Sequence, residues 1–301
     1  MSIPKLSIII LSYNTKDLLL NCLRSLEKVK NEVIFEIIVV DNASTDGSLE
    51  AIKNLKIENL KILGNEVNLG FARGNNTART IVRGEYILFL NSDTEVQPET
   101  LKKSINYLSQ HKDTGVVTVR TLLPSGKLDK DVRRSFPTPF IALTHFSGLD
   151  RLFPKSKMLA SYWYGYIPDT KSHYIDVAQG AFFMTRKKLL DEVDWFSEEY
   201  FLDGEDIDLC WKIKLAGKKI YYFADASILH TKKASKKSGK KIKFVHTGVD
   251  SMEIFYRKFM WQNYSLPINL SVILGIKAIK IIRTTKHTLI VIPDLIRNLY
   301  K

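Results

Sequence analysis

The 301-residue chain has only two cysteines, Cys22 and Cys210, which leaves no disulfide framework and no cysteine-based zinc spacing. Both lie in helix-like patterns, and a reducing compartment is the expected setting. The first apolar run, residues 6–11, is about six residues long and shorter than the roughly seven to fifteen of a secretory h-region. Neither the Gly-x-Gly-x-x-Gly dinucleotide fingerprint nor the Lys-containing phosphate loop occurs, which argues against an NAD enzyme and an NTPase. A nucleotidyltransferase would open with a basic, Gly-rich phosphate loop, and Ser12-Tyr13-Asn14 is not one. No internal repeat is present. With 45% hydrophobic residues the chain has ample material for a core and is neither disordered nor fibrous.

Negative charge is scarce in one place only. From His230 onward there are 15 Lys and Arg against 3 Asp and Glu, while residues 1–229 hold 30 against 29. A nearly neutral globular part therefore carries a basic C-terminal segment, whose natural partner is an anionic surface.

Residues 1–120 alternate between short apolar runs and amphipathic stretches. Runs at 6–11, 35–40, 60–63, 86–90 and 116–119 read as buried strands, and helical spacing follows at 18–26, 49–55 and 101–108. Pro98 is expected at the first position of the third helix. This alternation predicts βαβ units, a mostly parallel sheet with helices on both faces, and ligands at the carboxyl ends of the strands. Residues 121–175, rich in proline and aromatics, show no period and predict a long irregular excursion facing an acceptor. A strand at 181–184, helices at 186–193 and 206–215 with Gly217 as a stop, and a strand at 220–223 follow.

Polar clusters fall where these strands end. Tyr13 is suited to stack on a nucleobase, with Ser12 and Asn14 as hydrogen-bonding neighbours; a helix-capping turn is the plainer role. Asp41 can accept an imide N–H of uracil or thymine, although Asn42, Ser44 and Asp46 equally suit turns and caps. Asn68, Gly70 and Arg73 lie in a Gly/Asn-rich turn entering a helix, where glycine allows close approach and arginine can meet phosphate. Asn91, Ser92 and Asp93 end the strand at 86–90, and Asp93 is the metal-ligand candidate for Mg²⁺ or Mn²⁺ bound to a diphosphate. Asp203, Glu205, Asp206 and Asp208 crowd four carboxylates into six residues, which raises at least one pKa and suits a general base. His230, as a neutral imidazole, can complete the metal shell or touch the diphosphate; alone it would read as structural.

The series Ser7-Ile-Ile-Ile-Leu-Ser-Tyr-Asn14, Val40-Asp-Asn-Ala-Ser-Thr-Asp46, Asn68-Leu-Gly-Phe-Ala-Arg-Gly-Asn-Asn76, Leu90-Asn-Ser-Asp93, Gln179-Gly-Ala181 and Gly204-Glu-Asp-Ile-Asp-Leu-Cys-Trp211 resembles family 2 glycosyltransferases of the rhamnosyltransferase-like type. The resemblance spans about residues 5–230 and implies a GT-A fold and an inverting, metal-dependent transfer from a nucleotide sugar. It implies Asp206 as the base, with Glu205 beside it, and Asp93 as the metal ligand with His230 near the diphosphate. Asp41 would read the base, and Tyr13 would stack on it. The family often has Ser or Gly where Gln179 stands, and Asp203-Gly204 also varies, which leaves the donor sugar and acceptor open.

The expected organisation is a catalytic domain at 1–230, with a nucleotide-binding half at 1–120 and an acceptor half at 121–230, then a basic helical segment at 231–301. Lys232 begins a basic loop running to Lys243 that is suited to phosphates or to solvent. Residues 266–282 are apolar but carry Lys277 and Lys280, which favours an amphipathic helix on an anionic membrane, with Arg283, Lys286 and Arg297 pointing outward, over a spanning one. Packing of this helix on the domain is the rival arrangement, and residues 285–301 receive no assignment. The expected partners are a nucleotide-sugar donor, a glycan or lipid-linked acceptor and that membrane surface, at the cytoplasmic face. Nucleic acid is not expected, because no recognisable module accompanies the basic end. A nucleotide-sugar-binding pseudoenzyme and a nucleic-acid binder are the alternatives.

Overall fold

The apolar runs of the first half form the middle of one sheet. β1 (Leu6–Ser12), β2 (Phe35–Asp41) and β4 (Tyr86–Asn91) are buried along nearly their whole length, as Ile/Val/Leu strands must be when helices cover both faces. With β3 (Leu60–Gly64) they pair in parallel, β1 lying between β2 and β4 and β3 outside β2. The connections are α1 (Lys16–Lys28), α2 (Ser48–Lys53) and α3 (Gly70–Asn76). The computed structural model describes residues 3–232 and 242–299, with side chains at all of these except 242–245 and 289–299.

Antiparallel pairing enters in the second half. β10 (Phe182–Arg186) runs antiparallel between β4 and β6 (Thr114–Leu122), and β11 (Lys219–His230) runs parallel to β6. β5 (Thr94–Val96) and β8 (His173–Ile175) add antiparallel partners to β11, giving nine strands in the main sheet among the described residues. The expected strand at 220–223 therefore continues through an irregularity between Phe223 and Ser227 as far as His230. Pro98 is not the first helical residue. Glu99 takes a left-handed conformation (φ 63°) and α4 (Thr100–Gln110) starts after it.

The segment 121–175 is only partly irregular. It holds the short β7 (Arg133–Arg134), which pairs with β9 (Val177–Ala178), and the helices α5 (Pro139–Phe146) and α6 (Leu149–Leu152). α7 (Lys187–Glu192) and α8 (Glu205–Leu215) then lead into α9 (Ile242–Phe255), a π-helical turn at Tyr256–Met260, and α10 (Leu266–Leu299). Val249, Phe255, Tyr256, Met260, Ile273 and Ile276 belong to the same apolar cluster as Phe89, Phe183 and Leu209. One face of the C-terminal helices is thus part of the core beneath the sheet. No helix among the described residues is long and apolar enough to cross a membrane.

Candidate active site

Parallel register decides which side chains meet. Ser12 of β1 lies opposite Asp41 of β2, and Leu11 opposite Asn91 of β4, so the three strand ends lie side by side. A hydroxyl chain links them: Ser12 Oγ is 2.9 Å from Thr15 Oγ1, which is 2.9 Å from Ser92 Oγ. Tyr13 stands at the same edge, 38% exposed, with its ring open to a stacking partner. Asn14 (φ 54°) accepts from Thr45 N–H at 2.7 Å and so locks the first loop to the second.

Asp41 combines both roles expected of it. One carboxylate oxygen accepts from Ser44 N–H at 3.0 Å, which caps the turn. The other, Oδ1, is buried without a hydrogen-bond partner. An orphaned carboxylate oxygen at a strand end is the mark of a ligand-facing acceptor. Behind it Asn42 acts as a hub: its amide donates to Asn68 Oδ1 (2.9 Å) and Gly70 O (3.1 Å) and accepts from Leu69 N–H (3.0 Å). Asn68 and Gly70 thus shape the loop, whereas Arg73 pairs on the surface with Glu198 at 3.2 Å.

Gly70 joins this loop to the acidic helix. Its φ is +80°, and an added Cβ would lie 2.2 Å from Phe201 O, to which Phe71 N–H donates at 2.7 Å. The loop that leads into α8 therefore rests against the start of α3. Gly180, next to Gln179, packs against the Phe71 ring, and Gln179 Oε1 has no partner.

Antiparallel pairing sets His230 opposite Thr94 and brings its ring to Asp93. His230 Nε2 lies 3.1 Å from Asp93 Oδ1, and Nδ1 lies 3.0 Å from Asp129 Oδ2. Burial opposes protonation of the imidazole, yet its bonds to Asp129 and Asp93 carry its pKa up to about 9. The neutral imidazole expected from the sequence is thus an imidazolium while only carboxylates face it. Asp129 is buried as well, but His230 and Lys232 outweigh that burial and hold it below its ordinary value. Lys232 reaches Asp129 and Asp131, both at 2.7 Å, so it is spent on carboxylates rather than left to solvent or phosphate. The rest of the basic loop, 233–241, lies outside the described residues.

This arrangement suits a divalent cation. With its Nε2 proton displaced, His230 would offer a nitrogen donor beside the Asp93 oxygen, and Asp129 would anchor the far ring nitrogen, as a second-layer carboxylate does for a metal-bound histidine. No group of three such ligands occurs among the described residues, so the remaining positions would fall to phosphate oxygens and water.

The acidic helix start contains a residue that periodicity did not single out. Arg134, on β7, bonds Asp206 Oδ2, and the pair is mostly buried (side chains 13% and 9% exposed). Asp206 Oδ1 accepts from Ile207 N–H at 2.8 Å. Glu205, beside it, is held well above the ordinary carboxyl value by burial and by Asp206 and Asp203, and its Oε2 has no partner. Asp203 is raised too, by burial and then Asp206, against Arg134 and Arg283. Arg283 of α10, though exposed, lies near enough to Asp203 to act on it. Gly248 of α9 lets Asp203 approach, since an added Cβ there would lie 3.2 Å from Asp203 Oδ2. Asp208 turns inward, accepting from Ser197 Oγ at 2.6 Å and Lys258 at 2.8 Å, and is structural. Asp131 lies near enough to Arg134 and Asp203 to act on both, and so links the Asp93–His230 group to the acidic helix.

Known proteins resemble this chain in sequence and fold. The poly(ribitol-phosphate) beta-glucosyltransferase of Bacillus spizizenii is 38% identical over 112 residues, which are 36% of this chain and 18% of that protein. The chain therefore spans less than a fifth of the length of that relative. The mannosyltransferase PcManGT from Pyrobaculum calidifontis, solved with GDP-Man and Mn²⁺, superposes with a TM-score of 0.58 at 19% identity, covering 85% of this chain and 65% of that one. Staphylococcus aureus TarS 1–349, solved with UDP-GlcNAc, superposes with a TM-score of 0.53 at 24% identity, covering 76% and 59%. The architecture is that of GT-A glycosyltransferases. The glycosyl transferase family 2 model matches residues 7–194, and the chain belongs to that family.

Proposed function

We propose that the chain moves a sugar from a UDP- or dTDP-linked donor to a hydroxyl of a glycan or lipid-linked acceptor, with inversion, in the synthesis of cell-surface polysaccharide. The observation that carries this reading is the partnerless Asp41 oxygen and the Asp93–His230 pair at the strand ends of the main sheet, together with the Asp206–Arg134 pair between α8 and β7.

Tyr13 stacks on the base and Asp41 Oδ1 accepts its imide N–H, while Ser12, Asn14, Asn68, Gly70, Asn91 and Ser92 form the walls. Asp93 and His230 would hold a divalent ion, Mn²⁺ in preference to Mg²⁺ because one ligand is nitrogen. When bound, that ion neutralises charge on the departing diphosphate. Asp206 takes the proton of the acceptor hydroxyl as its oxygen bonds the anomeric carbon, and the bond from that carbon to the diphosphate breaks with its electron pair leaving on phosphate. Arg134 fixes the carboxylate's orientation, and Glu205, whose ionisation is opposed by burial and by the neighbouring carboxylates, lies next to it. Hexosyl and rhamnosyl donors, dTDP-rhamnose among them, both belong in a donor screen. The exposed side of α10, with Leu274, Ile281 and Ile282 outermost, suits a peripheral seat on the cytoplasmic face of a membrane.

Slow hydrolysis of a nucleotide-sugar panel, with and without Mn²⁺, tests the donor class. Asp206→Asn is expected to lower turnover by about a thousandfold or more while leaving donor affinity within about threefold. Unchanged turnover would reject Asp206 as the base, and a chain that binds no nucleotide sugar would reject the reading.

A further inference from the structure

The outer side of the segment between β7 and β8 has a composition that the transfer chemistry does not use. Phe140, Leu143 and Phe146 of α5 are 49, 63 and 47% exposed, and Leu152, Phe153 and Met158 are 72, 52 and 63% exposed. A surface this apolar is unusual unless something covers it. Its charges are of one sign. Arg151, Lys155 and Lys157 are exposed, while Asp150, the sole carboxylate between residues 139 and 158, is buried and bonded to His145 at 2.7 Å. Phenylalanine and leucine interspersed with exposed cations match a bilayer interface, with apolar side chains among the acyl groups and cations among anionic headgroups.

The inner side connects to the candidate site. His145 stacks on Tyr162 at 4.5 Å, Tyr162 O accepts from Ser135 N–H at 2.8 Å, and Tyr162 lies beside Arg134. Lys130, from the turn between Asp129 and Asp131, sits over the Trp163 ring at 5.2 Å.

We propose that the outer face of residues 139–158 is a docking surface for an anionic phospholipid bilayer, distinct from the outer face of α10, and that it holds the Arg134–Asp206 edge next to the membrane. Its use in presenting a lipid-linked acceptor rests on the transferase reading; the lipid contact itself does not.

The test is sedimentation of the 301-residue chain with vesicles of phosphatidylcholine alone and of phosphatidylcholine with phosphatidylglycerol. The chain should bind the anionic vesicles, and combined Phe140→Ser, Leu143→Ser and Phe146→Ser should weaken binding by about tenfold or more. Combined Arg151→Ala, Lys155→Ala and Lys157→Ala, which alters only exposed cations, should remove the preference for anionic vesicles and flatten the salt dependence. Both variants should hydrolyse nucleotide sugar at the unmodified rate; if the apolar variant does not, the charge variant decides. Unaltered vesicle binding by the variants overturns the proposal. So does binding that is lost only with Leu274→Ser and Ile281→Ser on α10, and so does no vesicle binding at all, the result expected of a protein-covered surface. A chain that seats on vesicles yet binds no nucleotide sugar would sink the transferase reading alone.

Discussion

Glu205→Gln should make the protein more stable at neutral pH. Glu205 is 6% exposed, one of its oxygens has no partner, and two further carboxylates, Asp206 and Asp203, press on it. Its pKa in the folded protein lies above the ordinary 4.5. A carboxyl raised in this way binds more protons folded than unfolded. Its favourable contribution is complete below the unfolded value and declines as pH rises through the folded one. The amide keeps the shape, removes the like charge and can donate to a neighbouring carboxylate. Relieving one unsatisfied buried polar group is worth about 1–3 kcal/mol, and each kcal/mol moves the midpoint by roughly 2 °C or more in a chain of this size. Thermal unfolding of both proteins at about pH 8 and about pH 4 separates the cause, because near the unfolded value the two should converge. An advantage that persists undiminished in acid, or a variant less stable at pH 8, would refute this account of the acidic cluster.

Three further substitutions probe other links. Gly70→Ala combines a left-handed φ with a Cβ driven into Phe201 O; it should cost about 2–3 kcal/mol in urea unfolding and lower turnover by displacing the loop that leads into α8. Lys258→Met strips a cation from fully buried Asp208 and should cost about 2 kcal/mol or more, with Asp208→Asn restoring at least half in the double variant. Asp93→Ala should reduce Mn²⁺-dependent affinity for UDP in calorimetry by about tenfold or more and leave metal-independent affinity nearly unchanged.

Much of this architecture is written locally. Five apolar runs become β1, β2, β3, β4 and β6; for all but the half-buried edge strand β3, an apolar run covered on both sides has few alternatives. The strand-end clusters around Ser12, Asp41 and Asp93 follow, since parallel register brings them together. Asp129, Arg134 and Lys232 are not legible in that way. Each is defined by a partner about 70 to 100 positions away (His230, Asp206 and Asp129) and sits in a stretch without period. The cue available was charge: two adjacent arginines inside an aromatic-rich segment, upstream of four crowded carboxylates. The C-terminal helices escape for a related reason. α10 is apolar on both sides, so its pattern cannot say which side meets the core, and the structure shows one side burying Ile273 and Ile276 while Leu274 and Ile281 face out.

Backbone strain gives a separate reason to treat the strand-end loops as one functional unit. Among the described residues eight non-glycines have positive φ, and four of them, Asn14, Ala43, Asp203 and Lys232, border the four segments that supply Tyr13, Asp41, Asp206 and His230. For asparagine this conformation is inexpensive, but for alanine or lysine it costs about 1 kcal/mol or more and must be held by surrounding contacts. At Ala43 the holding contacts are visible: Asp41 Oδ2 accepts Ser44 N–H, Ser44 Oγ accepts Asn14 N–H at 2.9 Å, and Asn14 accepts Thr45 N–H. A loop built only to connect β2 to α2 would have no need of a left-handed alanine, since residues 41–47 contain better turn formers. The kink instead fixes the end of β2, leaving Asp41 Oδ1 buried without a partner while its other oxygen is tied. That the left-handed turns coincide with the polar strand ends is what an edge shaped around a ligand would produce.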